Sequence, residues 1–292
     1  MNPEISTYVD DEGREFHYSF INNKADKLVI HFTAFFGDWG DRKEYKKYYK
    51  GYFHRYRMFI DEKKYNFLFV CDQFGVTENG TYYTGKAGDF FVERATQEII
   101  NIVVESQNIA WKNIITIGSS MGATGALKFG LKNNAQGIIA IAPHIDLDIC
   151  AKLQGREQHV AWICPDGDTQ AAHNYPYTRQ IWNLINDTGV IPPRLFLHSC
   201  EDDHGVHSEQ VLPFLDIYRS KGGRIVFFRK AVGGHSGDAC GKDVLLDVLE
   251  KMFASKSIDV RQYDKFKYMP DNLRTPWPFI KHYLKKIRAR LQ

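Results

Sequence analysis

The chain has 292 residues, 43% of them apolar and 14% aromatic, with a formal net charge of +3. That is enough apolar material for a large buried core and excludes an intrinsically disordered chain. Six basic residues and no acidic one lie between Arg274 and Gln292, which leaves −3 on residues 1–273. A chain-wide nucleic-acid surface is excluded, and no nucleic-acid partner is expected.

Tyr8-Val9 and Phe16 to Phe20, separated by Asp-Asp-Glu-Gly, read as an opening hairpin. Lys27 to Phe32 is an apolar strand leading into the loop Thr33-Ala34-Phe35-Phe36-Gly37, and Tyr45 to Tyr56 reads as an irregular or short helical crossover. Asn66 to Cys71 forms another buried strand, ended by Asp72-Gln73-Phe74-Gly75. After the turn-rich Asn79-Gly80-Thr81-Tyr82-Tyr83, residues Phe91 to Ser106 place Ala95, Ile99, Ile102 and Val103 at helical spacing. Ile114 to Ile117 is a strand feeding Gly118-Ser119-Ser120-Met121-Gly122, followed by the small residues Ala123, Gly125 and Ala126.

Further strands are predicted over Gly137 to Ala142, Arg194 to His198 and Arg224 to Phe228, with helices around Val211 to Tyr218 and Val244 to Phe253. Strands alternating with helices imply an α/β fold with a doubly wound, mostly parallel sheet. The long stretch between two core strands, residues 145–193, contains Trp162, Trp182 and a helical run over Thr178 to Asn186. It reads as a cap inserted beside the site. The expected organisation is one domain over residues 1–273 and a basic amphipathic tail over 274–292.

Gly118-x-Ser120-x-Gly122 between a buried strand and a small-residue helix is a nucleophile elbow, which exposes a serine hydroxyl at a sharp turn. Such a hydroxyl is a poor nucleophile without a positioned base, and the base needs an acid to orient it. In chain order serine, acid, histidine, the later strands supply both. His198-Ser199-Cys200 runs into Glu201-Asp202-Asp203, and a glycine-flanked His235 follows the last strand. Ser120 is the predicted nucleophile, His235 its base and Asp203 the orienting acid, with Asp202 the alternative one register away. The oxyanion donors are expected to be the Met121 amide and an amide of the loop after the first core strand, Phe35 first and Ala34 second.

Two other groupings compete for chemistry. Asp202, Asp203, His204 and His207 could make a metal site, and Asp166-Gly167-Asp168 with His173 could hold a cation. The first lacks a second ligand cluster to balance it, the second reads more simply as a polar turn after Pro165, and no metal is expected. The five cysteines, Cys71, Cys150, Cys164, Cys200 and Cys240, are odd in number with no C-x-x-C pair, as reduced core thiols would be. The opening residues lack the basic and apolar regions of a secretory signal and no run is long enough to span a membrane, so a cytoplasmic location is expected. In the tail, Ile280, Tyr283, Leu284, Ile287 and Leu291 share one helical face among basic residues, which suits either docking on the domain or attachment to an anionic membrane surface.

His31-Phe32-Thr33-Ala34-Phe35, Gly80-Thr81-Tyr82-Tyr83, the elbow, Ala142-Pro143, Glu201-Asp202-Asp203 and Gly233-Gly234-His235 occur in this order. This pattern resembles the bacterial capsular-polysaccharide O-acetyltransferases of the α/β-hydrolase fold and, more distantly, the acetyltransferase component of the accessory Sec glycoprotein system. The resemblance implies acetyl transfer from acetyl-CoA, through an acetyl-serine, to a sugar hydroxyl of a carbohydrate acceptor, with no bound cofactor. It also favours Asp203 over Asp202. The same fold and residues would serve a carbohydrate esterase, and a non-catalytic scaffold in a polysaccharide or secretion assembly is the expectation from another class. The aromatics Phe35, Phe36, Trp39, Trp162 and Trp182 would suit sugar stacking, although core packing is the simpler use for most of them.

Overall fold

The computed structural model describes residues 3–35, 53, 55–76, 78, 80–187, 189, 191–235 and 239–263. The basic tail, Phe36, Trp39 and most of the crossover Tyr45 to Tyr56 lie outside the described residues.

Eight strands form one sheet in the order β1-β2-β4-β3-β5-β6-β7-β8. They are β1 Ser6–Val9, β2 Glu15–Ile21, β3 Leu28–Phe32, β4 Asn66–Val70, β5 Ile114–Ser119, β6 Gly137–Ile141, β7 Arg194–Cys200 and β8 Ile225–Lys230. The hairpin β1–β2 pairs antiparallel, Tyr8 opposite Phe16, and β2 runs antiparallel to β4. Every remaining pair is parallel. The hairpin turn closes on Asp10, whose carboxylate accepts from the N–H groups of Glu12 and Arg14.

Strands β3, β4 and β6 are buried at every position, because helices cover both faces of a parallel sheet. The period of two along each strand divides their side chains between two cores. Leu28, Ile30 and Phe32 face one side with Ile114, Ile138 and Leu197, while Val29, Ile115, Ile117, Ile139 and Phe196 face the other.

The first core receives α1 Phe91–Ser106 and α2 Met121–Lys132. In α1 the buried stripe is Phe91, Val92, Ala95, Thr96, Ile99, Ile100 and Val103. Ile102, expected on that stripe, is 40% exposed, since its flank of the helix turns away from the sheet. Between β6 and β7 the chain forms α3 Leu147–Leu153, α4 Glu157–Ala161, a 3-10 turn at Ala172–Asn174 and α5 Gln180–Asp187. These helices stay close to the fold. Trp182 of α5 packs edge-on against Phe214 of α6 Leu212–Ser220, and the Gln210 carboxamide oxygen accepts from the N–H groups of Ile145 and Asp146. The second core is closed by α7 Lys242–Phe253, through Leu245, Val248, Leu249 and Met252.

From β3 the chain passes outward to β4 and then returns to place β5 on the other side of β3. That reversal opens a crevice at the carboxyl ends of the two strands, where ligands bind in open α/β sheets. Among the described residues no helix is long and apolar enough to cross a membrane.

Candidate active site

Ser120 sits between β5 and α2 with φ 54° and ψ −126°, a left-handed conformation that a serine adopts only when its surroundings enforce it. Enforcement comes from both sides. The Ser120 N–H donates to the Ile141 carbonyl at 2.9 Å, and the Ser120 carbonyl accepts from the Ala123 N–H at 3.0 Å. The two elbow glycines are needed for close approach: a Cβ on Gly118 would lie 2.0 Å from the Gly122 carbonyl oxygen, and one on Gly122 would lie 2.2 Å from that of Phe32. The second figure also places the loop after β3 directly against the first turn of α2.

His235 Nε2 lies 2.8 Å from Ser120 Oγ, and His235 Nδ1 lies 2.7 Å from Asp203 Oδ2. An ionised carboxylate can only accept, so Nδ1 carries the imidazole proton and Nε2 is left to accept from the serine hydroxyl. The side chain of Asp203 is 5% exposed and that of His235 is 27% exposed, so the line of hydrogen bonds runs from the interior to an open end at Ser120. The structure therefore brings Ser120, His235 and Asp203 together. Asp202 points elsewhere, its two oxygens accepting from the N–H groups of Gly233 and Gly234 at 3.1 and 2.7 Å, where it holds the loop that presents His235.

As the first residue of α2, Met121 has a backbone N–H with no intrahelical acceptor. Ala34 and Phe35 lie in the facing loop. That loop is held at Thr33, whose N–H and hydroxyl both donate to the Val70 carbonyl and whose own carbonyl accepts from the Tyr83 hydroxyl at 3.0 Å. The Phe35 ring is covered by the Arg156 guanidinium at 4.2 Å and meets His159 edge-on at 4.6 Å, which seats α4 over the loop.

Among the residues that organise this site, Lys128 and His144 escape the sequence reading, and Asp72, Tyr82 and Tyr83 are named in it without these roles. Tyr82 and Tyr83 are fully buried with φ of 56° and 55°. Their unusual turn is tied down by Asp72, which accepts from Thr81 N–H, Thr81 Oγ1 and Tyr83 N–H, and by Lys128, whose Nζ donates to the carbonyls of Tyr82 and Tyr83. Burial raises the Asp72 pKa against the pull of these donors, and burial lowers that of Lys128 although Glu93 stands 3.4 Å away. The available signal for Asp72 is its place just beyond the carboxyl end of β4. His144 has the same kind of signal beyond β6, and its ring stacks on that of His235 with centroids 4.7 Å apart.

The competing groupings disperse. His207 Nδ1 engages Ser199 Oγ at 2.8 Å while Asp203 engages His235, and no group of three metal-ligating side chains occurs among the described residues. Asp166, Asp168 and His173 close a local turn, with Asp166 accepting from the Asp168 N–H and facing His173. All five cysteines are buried and unbridged, and burial pushes the thiols of Cys164 and Cys240 up to about 11 and about 12. Of the aromatics named for sugar stacking, Trp182 is packed against the core, Trp162 lies under the Lys86 ammonium at 4.4 Å, and the Phe35 ring lies with the Met121 side chain beside Gly80.

No protein-family model matches the chain. By sequence, 244 residues, 80% of this chain and 42% of its relative, are 24% identical to an accessory Sec system protein of Staphylococcus aureus. By structure, the chain is similar to the Glycosylation Associate Protein complex from Streptococcus agalactiae, with a TM-score of 0.66 and 20% identity over 87% of this chain and 48% of that one. It is also similar to the capsule O-acetyltransferase of Neisseria meningitidis serogroup A, solved as a histidine-to-alanine variant in complex with CoA. That match has a TM-score of 0.63 and 17% identity over 84% of this chain and 94% of the enzyme. The fold is that of the α/β-hydrolases. The chain spans less than half the length of the two longer relatives and covers nearly the whole of the Neisseria enzyme.

Proposed function

We propose that this chain is a serine-nucleophile acyl-transfer enzyme, an O-acetyltransferase that moves acetyl from acetyl-CoA to a hydroxyl of a bacterial surface polysaccharide. The observation that carries this reading is the unbroken line Asp203–His235–Ser120, with contacts of 2.7 and 2.8 Å. As the Ser120 oxygen attacks the thioester carbonyl, its proton passes to His235 Nε2, and the Asp203 carboxylate stabilises the resulting imidazolium. Charge builds on the former carbonyl oxygen, where the Met121 N–H and the Phe35 N–H, or else that of Ala34, would receive it. The imidazolium then protonates the departing CoA thiolate, leaving acetyl-Ser120. In the second half-reaction His235 takes the proton of an acceptor hydroxyl, which attacks the acetyl-serine; the acyl–Oγ bond breaks, the imidazolium returns the proton to the departing Ser120 oxygen, and Ser120 and neutral His235 are restored.

The choice of donor is supported by the CoA complex of the similar Neisseria enzyme, and the carbohydrate acceptor by the capsule and glycosylation systems to which the similar proteins belong. Intact mass after incubation with acetyl-CoA tests the reading. One added acetyl group, mapped to Ser120 and absent in Ser120→Ala, is expected. Acetate release at full rate without any sugar would make the enzyme an esterase. A protein that neither gains acetyl nor reacts with a fluorophosphonate at Ser120 would be the non-catalytic scaffold.

A further inference from the structure

His144 has no place in the proton path just described, yet it is built into the same frame. The residue is 1% exposed, and its ring lies on the His235 ring with an interplanar angle of 18°. The Tyr82 hydroxyl is 3.2 Å from its Nδ1, and Thr124 Oγ1 donates to its backbone carbonyl. Tyr82 belongs to the turn held by Lys128, and Thr124 to the first turn of α2 behind Ser120. Among the described residues, His235, Tyr82 and Arg156 bring charge or titrating protons to it. Burial above all, and then the charges of His235 and Arg156, hold His144 well below the usual histidine range.

We infer that His144 is a positioning residue for acyl transfer, its ring face holding the His235 imidazole in the orientation that presents Nε2 to Ser120 and stabilising the imidazolium formed there. This rests on Ser120 being the nucleophile and His235 its base. The proton balance is unchanged: the Oγ–H bond of Ser120 breaks, an Nε2–H bond forms on His235, and His144 gains and loses nothing. The face of an aromatic ring is electron-rich and attracts a cation lying over it, most strongly away from water. The stack also restrains a ring that Asp203 grips at Nδ1 alone, leaving rotation about that bond to be stopped by packing.

The rate at which a fluorophosphonate labels Ser120 tests this, because it reads activation of the serine without needing donor or acceptor. Two double variants share the background Tyr82→Phe, which removes the hydroxyl that would otherwise be buried unpaired. One adds His144→Phe, keeping a ring face; the other adds His144→Leu, keeping apolar volume without a ring. The leucine protein is expected to label about tenfold more slowly than wild type, and the phenylalanine protein within about threefold of it, with similar melting temperatures for the two. Equal labelling rates in the two variants would overturn the inference while leaving Ser120 as nucleophile. Absence of labelling in the wild-type protein would remove the nucleophile reading itself, and this inference with it.

Discussion

Asp202 and Asp203 are adjacent and chemically identical, and the fold uses them differently. Asp203 accepts from His235 Nδ1, whereas Asp202 accepts from two backbone N–H groups of the histidine loop. Replacing Asp203 by Asn should lower acetyl-CoA turnover by about a thousandfold, because the amide no longer enforces the tautomer with a free Nε2. Asp202→Asn loses one of two backbone contacts and should cost about 1 kcal/mol of stability with a loss of turnover nearer tenfold. Turnover and thermal melting of the two variants separate these outcomes. Comparable losses of turnover in both would contradict the division of labour. Apart from the family resemblance, which favours Asp203, the sequence shows this pair only as an acidic loop after a strand, since a single residue of register decides which carboxylate turns inward. That register is set where β7 ends at Cys200 and the chain turns into His204. Ser120 is far easier to read, because the glycine spacing and the apolar run before it are consequences of the local bend itself. His144 is marked in the sequence only by its place beyond the carboxyl end of β6, since a ring stack depends on a contact made across the fold.

The turn Gly80 to Tyr83 shows how much of a site is held from behind. Two buried charges of opposite sign, Asp72 and Lys128, tie down its backbone, and Tyr83 in turn holds Thr33 beside Ala34 and Phe35. Lys128→Met would leave two carbonyls of that turn without their donor and remove a partner of Glu93, which keeps Lys132 at 2.9 Å. A loss of about 3 kcal/mol is expected, read by chemical denaturation. Acetyl-enzyme formation should fall as well. An unchanged unfolding midpoint would show that the ammonium group does not hold the turn. Gly122→Ala acts on the same junction from the helix side, driving a methyl against the Phe32 carbonyl, and should destabilise by about 3 kcal/mol. The strands and the longer helices follow plainly from the sequence because their periodicities are local. The Gly80 to Tyr83 turn appears there as a short run of turn formers and as one motif of the family resemblance, but not with its shape, because the groups that set it arrive from β4 and α2.

Across the whole molecule, two cores on opposite faces of one sheet enclose several titrating groups, His144 and His207 among them, and these two histidines couple stability to pH. His144 is held well below its ordinary pKa of 6.5, and His207 is also lowered, in both cases chiefly by burial. Unfolding returns both to that ordinary value. Below pH 6.5 the unfolded chain therefore binds more protons than the folded one, so this stability is fully present above pH 6.5 and declines as the pH falls. Melting temperatures taken from neutral pH down to about pH 5 should show the decline, and the slope should be shallower in Tyr82→Phe/His144→Phe. Equal slopes would mean that His144 takes up its proton without unfolding. The backward bend at Ser120 bears on the same balance. A serine at φ 54° and ψ −126° works against folding by about 1–3 kcal/mol, and glycine at that position would not. Ser120→Gly should therefore melt above both the wild type and Ser120→Ala while being inert toward acetyl-CoA. In that comparison durability and an exposed hydroxyl are rivals for one backbone torsion, and the gap between the two variants measures what a Cβ at this bend takes from stability.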